Sequence, residues 1–267
     1  MKLFTLLFCL SALTFISSAG AADAPKPMQV KIRELPEEIS KTTTSLNAKF
    51  IVATPANAVA TEPLPLLIFL HGAGQRGSDI EKLREQQPLK YFSTQTSQPF
   101  VIVMPQCLSD QGGVKHIWEV ADLEVLFAHL TRTTRFDKSR VYLIGYSMGG
   151  YGTWAWASAH PERFAAIAPH AGGLGHGGPK DVTPDLEQWV KRLSPLPNRI
   201  VHGAQDNVVP PERSERMFNM LKASGAKEVE LRMLPDKDHG IGSALADEDL
   251  YAWLLKHSRS GVKAVTP

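Results

Sequence analysis

Short apolar runs alternate with amphipathic stretches along most of the chain. Leu64–Leu70 reads Leu-Pro-Leu-Leu-Ile-Phe-Leu, the continuous apolar run that a strand buried on both faces requires. Ala48–Thr54, Phe100–Met104, Val141–Ile144, Ala165–Ala168, Arg199–Val201 and Glu228–Leu234 are further strand candidates, and an edge strand is expected around Met28–Arg33. Between them, Leu123, Leu126, Phe127 and Leu130 fall at i, i+3, i+4 and i+7 and mark one apolar helix face. Leu186, Trp189, Val190 and Leu193 repeat that spacing. Gly150 to Ala159 is compatible with helix. Met217, Phe218, Met220 and Leu221 follow the helix-start signal Pro210-Pro211, and Leu250–Leu255 predicts a final helix. Strands alternating with helices predict an α/β fold, a mostly parallel central sheet with helices on both faces. The chain shows no internal repeat and no long linker.

The first residues follow a different pattern. Met1-Lys2 precedes an apolar run from Leu3 to Ile16, and Ala19-Gly20-Ala21 is an Ala-x-Ala ending. Residues 1–21 therefore read as a secretory signal peptide. The apolar run is short of the roughly 20 residues a membrane-spanning helix needs. Cys9 follows the bulky Phe8, which a lipid-anchor cysteine would not. The expected organisation is a signal at 1–21, a polar arm at 22–47 containing Pro25, Pro27 and Pro36, one folded domain at 48–257 and a loose tail at 258–267. No second apolar span follows, so the expected product is soluble and is exported to the periplasm or beyond.

Composition narrows the picture. Among 267 residues, 43% are hydrophobic and 21% charged, which are globular values. Lysine plus arginine number 29 against 27 aspartate plus glutamate, a net charge of +2 that gives no electrostatic reason to expect a nucleic-acid partner. Of two cysteines only Cys107 lies beyond the expected signal, so no disulfide framework is available.

The strongest chemical signal is Gly145-Tyr146-Ser147-Met148-Gly149, directly after the apolar run Val141–Ile144 and before a helical pattern. A nucleophile on so sharp a strand-to-helix turn is held in a strained backbone, and neighbours two residues away must be small to avoid collision. A serine hydroxyl needs a histidine to take its proton and a carboxylate to hold that histidine's tautomer. On such a turn the partners follow in the order Ser, Asp or Glu, His. His239 sits in the polar loop Pro235-Asp236-Lys237-Asp238-His239-Gly240 after the last expected strand, where a base reaches the sheet's carboxyl edge. His257 ends the last helix, His160 leaves the helix after Ser147, and His202 at a strand end reads as a packed core histidine. Asp206, just past the strand Arg199–Val201, is the first choice of orienting acid, with Asp236 and Asp238 as alternatives. Met148, after the serine, would supply one backbone N–H to a developing oxyanion. The turn Leu70-His71-Gly72-Ala73-Gly74 would supply a second, from Ala73 first or Gly74 second. No phosphate-binding glycine motif is present. His176, in the glycine-rich Gly172–Gly178, has no second ligand at zinc spacing, so neither metal nor cofactor is expected. Cys107 lacks flanking elbow glycines, and Trp154 and Trp156 read as core.

These segments, together with Pro105-Gln106-Cys107, Tyr142–Trp154 and His202–Pro210, resemble the α/β-hydrolase superfamily over about residues 64–257. The resemblance is strongest to its poly(3-hydroxybutyrate) depolymerase-like and phospholipase/carboxylesterase branch, which includes feruloyl esterases. It implies Ser147, Asp206 and His239 as a catalytic triad and an oxyanion hole at Met148 and Ala73. It also implies Trp118, the tryptophan following Pro-Gln-Cys, as a substrate-site residue; core packing is the other reading of that side chain. Relatives often carry a polar or aromatic pair after the histidine, whereas this chain has Gly240-Ile241-Gly242, which leaves one wall of the site unassigned. The expectation is a secreted serine carboxylesterase acting on a small or soluble ester, without a cofactor. The alternatives are a peptidase on the same fold and a non-catalytic binding protein. Nothing in these residues resembles the propeller domain of prolyl oligopeptidases.

Overall fold

Among the described residues, eight strands, numbered in chain order, form one sheet in the order β1-β2-β4-β3-β5-β6-β7-β8. They are β1 Gln29–Glu34, β2 Leu46–Thr54, β3 Pro65–Leu70, β4 Val101–Cys107, β5 Asp137–Tyr146, β6 Ala166–His170, β7 Asn198–Gly203 and β8 Val229–Leu234. The structure, a computed structural model, describes residues 27–56, 62–175 and 181–259. The expected signal segment, His176 and most of the expected tail lie outside them. β1 and β2 run antiparallel to their neighbours, and β3 to β8 pair in parallel. The α/β fold expected from the sequence is the fold observed.

Among the described residues, seven α-helices accompany the strands. They are α1 Glu37–Ser40, α2 Leu89–Phe92, α3 Val120–Thr133, α4 Met148–Ala159, α5 Leu186–Leu193, α6 Glu212–Ala223 and α7 Glu248–Leu255. Alternation along the strands divides the core. Leu66, Ile68 and Leu70 of β3 pack with Leu123 of α3, Trp154 of α4 and Met217 of α6, whereas Leu67 and Phe69 pack with Phe92 of α2 and Trp253 of α7. Successive side chains of a strand point to opposite faces, so covering both faces demands the unbroken apolar run seen in β3 and β4. Residues of the arm join this framework. β1 edges the sheet, and the buried Asp122 of α3 accepts the backbone N–H groups of Thr44 and Ser45. Parallel strands bring their carboxyl ends to one edge, and there the loops after β3, β5, β7 and β8 meet.

Candidate active site

Ser147 stands between β5 and α4 with φ 54° and ψ −116°, a conformation that a non-glycine residue rarely holds. Its N–H donates to the His170 carbonyl at 2.9 Å, and its carbonyl accepts from Tyr151 N–H at 3.1 Å. Both flanking glycines are needed for space. A Cβ on Gly145 would lie 2.1 Å from the Gly149 carbonyl oxygen, and one on Gly149 would lie 1.8 Å from that of Leu70.

The structure brings Ser147, His239 and Asp206 together. Ser147 Oγ lies 2.8 Å from His239 Nε2, and His239 Nδ1 lies 2.7 Å from Asp206 Oδ2. A carboxylate only accepts, so Nδ1 carries the imidazole proton and Nε2 is free to accept from the serine hydroxyl. Asp206 is buried, and its Oδ1 accepts the N–H groups of Val208 and Val209, both at 2.9 Å. Burial alone would raise its pKa. The bonds from His239, Val209 and Val208 outweigh that and hold it below the ordinary aspartate value. Two loops set this spacing. Ala204 N–H donates to Leu234 and Gln205 N–H to Lys237, each at 2.9 Å, which ties the Asp206 turn to the His239 loop. Tyr146 Oη donates to the His239 carbonyl at 2.5 Å. The competing acids lie elsewhere: Asp238 Oδ1 accepts from Gly240 N–H, and Asp236 is exposed.

Met148 opens α4, so its N–H has no intrahelical acceptor. Ala73, and not Gly74, is among the residues lining the cavity of about 280 Å³ in front of Ser147. Gly72 packs beside the elbow: a Cβ there would meet Tyr146 Cδ1 at 3.3 Å and Ser147 Cβ at 3.5 Å. Beneath it, buried His71 accepts Cys107 N–H at Nε2 (3.0 Å) and so donates from Nδ1 to the Gly72 carbonyl (2.7 Å). Burial lowers the His71 pKa to about 4, which keeps the ring neutral in this role. Trp118 is both packed and at the cavity. It is only 3% exposed and donates from Nε1 to the His71 carbonyl, yet its ring walls the cavity with Ile117, Met148 and Tyr151.

The remaining candidates lie outside this arrangement. Cys107 is fully buried, and burial pushes its thiol up to about 12, so it offers no thiolate at neutral pH. Trp154 and Trp156 are core residues. The His257 carbonyl accepts the Tyr142 hydroxyl, and its ring packs against Trp253. His202 is buried as expected, but sequence reasoning missed that it touches Asp206, at 3.2 Å. The only sequence signal was four-residue spacing inside a turn. Among the described residues, no group of three or more His, Cys, Asp or Glu side chains could hold a metal ion.

The sequence profile of the prolyl oligopeptidase family matches residues 113–175 and 180–261, more than half of the chain. The chain belongs to the prolyl oligopeptidase family. That places it within the α/β-hydrolase superfamily its motifs resemble. An Escherichia coli (strain K12) protein that bears the name carboxymethylenebutenolidase is 30% identical over 130 residues, 46% of this chain and 44% of its own length. The bifunctional acetylxylan esterase/xylanase XynS20E of Neocallimastix patriciarum is 27% identical over 165 residues, 59% of this chain and 21% of its own. The chain thus spans less than half the length of these relatives. A solved thermostable esterase superposes with a TM-score of 0.64 at 23% identity, covering 87% of this chain and 63% of that one, and shares the fold.

Proposed function

We propose that the protein is a serine hydrolase of carboxylic esters that works through an acyl-enzyme on Ser147, His239 and Asp206. The observation that carries this reading is the unbroken hydrogen-bonded chain from Ser147 Oγ through His239 to Asp206 Oδ2 at the floor of an apolar cavity. His239 takes the hydroxyl proton as Ser147 attacks the ester carbonyl, then returns it to the leaving alcohol; water, activated by the same imidazole, releases the acid. Asp206 stabilises the transient imidazolium. The N–H groups of Met148 and Ala73 receive the oxyanion, and Trp118 walls the substrate cavity. The names of the two curated relatives support an ester or lactone as the bond cleaved. The substrate is a small or soluble ester, and the signal-like residues 1–21 direct export.

The family name supports a second reading, amide cleavage at the same serine. A panel of p-nitrophenyl and hydroxycinnamoyl esters with matched p-nitroanilides, run on wild type and Ser147→Ala, separates the two. Ester turnover that falls by about 10³-fold or more in the variant, with its unfolding midpoint kept, is the expected result. Anilide cleavage without ester cleavage would select the peptidase. Equal slow turnover by both proteins would leave a binding protein.

A further inference from the structure

Asp206 has a second imidazole beside it. His202, near the end of β7, is fully buried, with Nε2 3.2 Å from Asp206 Oδ2 and 3.0 Å from the Val209 carbonyl oxygen. Its Nδ1 lies 2.6 Å from Ser214 Oγ in the first turn of α6. A carbonyl oxygen only accepts, so Nε2 carries the proton and shares it between the two oxygens. Nδ1 is then the bare nitrogen and accepts the Ser214 hydroxyl proton. Burial lowers the His202 pKa, which agrees with a neutral ring.

We infer that His202 is a positioning residue for Asp206. Held as the Nε2–H tautomer by the Val209 carbonyl, with Ser214 donating to its Nδ1, it gives a second hydrogen bond to the carboxylate oxygen that faces His239 and closes the 206–209 turn. This rests on the Ser147–His239–Asp206 reading above. With Oδ1 fixed by two backbone N–H groups, Oδ2 is shared by His239 and His202, and together these four donors fix the carboxylate plane. Removing the His202 donor concentrates negative charge on Oδ2. It also lets the carboxylate turn, so that Oδ2 no longer holds His239 Nδ1 on the line that Ser147 needs. The titratable groups around His202 are Asp206 on its own turn, His239 from the loop after β8 and His170 from β6; α6 contributes the Ser214 hydroxyl.

The test compares His202→Phe, His202→Gln and Ser147→Ala with wild type on an ester that wild type hydrolyses. For His202→Phe, kcat is expected to fall about 10- to 100-fold, the worth of one hydrogen bond to a charged group, with KM within about twofold. A loss confined to kcat is one that simple loosening of the fold, which would raise KM as well, would not give. His202→Gln, which keeps an N–H donor, should recover much of the loss. Wild-type kcat in His202→Phe, or no recovery in His202→Gln, would overturn the inference while Ser147 stays essential; turnover surviving in Ser147→Ala would instead remove the reading beneath it. Should His202→Phe fail to fold, two-bond ¹H–¹⁵N correlation on wild type reads the tautomer directly. Nε2–H on His202 is expected at neutral pH, and Nδ1–H or a doubly protonated ring would overturn it.

Discussion

A single added methyl group is enough to test the turn that holds Ser147. Gly149 lies under the end of β3 so tightly that Ala at this position would set its Cβ 1.8 Å from the Leu70 carbonyl oxygen. Backbone cannot yield as a side-chain tip can, so Gly149→Ala is expected to cost about 3 kcal/mol or more, read as a lowered urea midpoint. Gly74→Ala serves as the control, because nothing lies within 4 Å of a Cβ there. Equal midpoints for the two variants would show that the elbow tolerates what its geometry forbids. The serine itself was legible in the sequence because the demand for space imposes glycine at fixed offsets. Asp206 and His239 were legible from chain order and from their loops after strands. What could not be read is the partner of a partner. His202 meets Asp206 only because the chain doubles back between β7 and α6, and no hydrophobic pattern records that turn.

Loops rather than strands carry the site, and one buried amide braces the first of them. Gln106 of β4 accepts from Asn47 Nδ2 at 2.8 Å and donates to the carbonyls of Gln75 and Asp79 at 3.0 and 2.9 Å. The braced segment, 75–79, begins two residues after Ala73. Gln106→Leu keeps the volume but leaves the buried Asn47 amide and two part-buried carbonyls without this partner. It is expected to lower stability by about 3 kcal/mol and to lower kcat more than it changes KM, since the loop would feel the loss chiefly when charge develops. Urea titration and steady-state kinetics check this, and unchanged kcat would separate the brace from the chemistry. The elements themselves were legible where both-face burial forces an apolar run, as in β3 and β4. They were clipped where polar residues are buried with partners. β7 extends from Asn198 to Gly203, beyond the expected Arg199–Val201; at its two ends Asn198 donates to the Leu193 carbonyl and His202 bonds Ser214. β5 starts at Asp137, ahead of its apolar run, where Asp137 holds Ser139 and Arg140. The one-turn helices α1 and α2 are too short for periodicity to declare them.

Across the whole molecule, buried imidazoles tie stability to pH, His71 and His170 foremost among them. Burial lowers the pKa of both His71 and His170 to about 4. The unfolded chain protonates these rings near the ordinary value of about 6.5, so between there and 4 it binds more protons than the folded chain, and stability falls as pH falls. Each ring contributes on the order of 3 kcal/mol to that loss. Asp206, held below its ordinary value, adds a further loss only at lower pH. Urea midpoints measured from pH 7 to pH 4.5 should therefore decline steeply, and a flat profile would mean that these histidines are not buried neutral. Function is a question for the same scale, because it needs β5, β7 and β8 to deliver three side chains to one point. Rapid mixing of the protein with a p-nitrophenyl ester, acid quenching and mass spectrometry of the peptides tests that convergence most directly. One acyl group per chain on the peptide carrying Ser147, absent in His239→Ala, is the result expected; an acyl group on any other residue, or none at all while ester is being turned over, would contradict it.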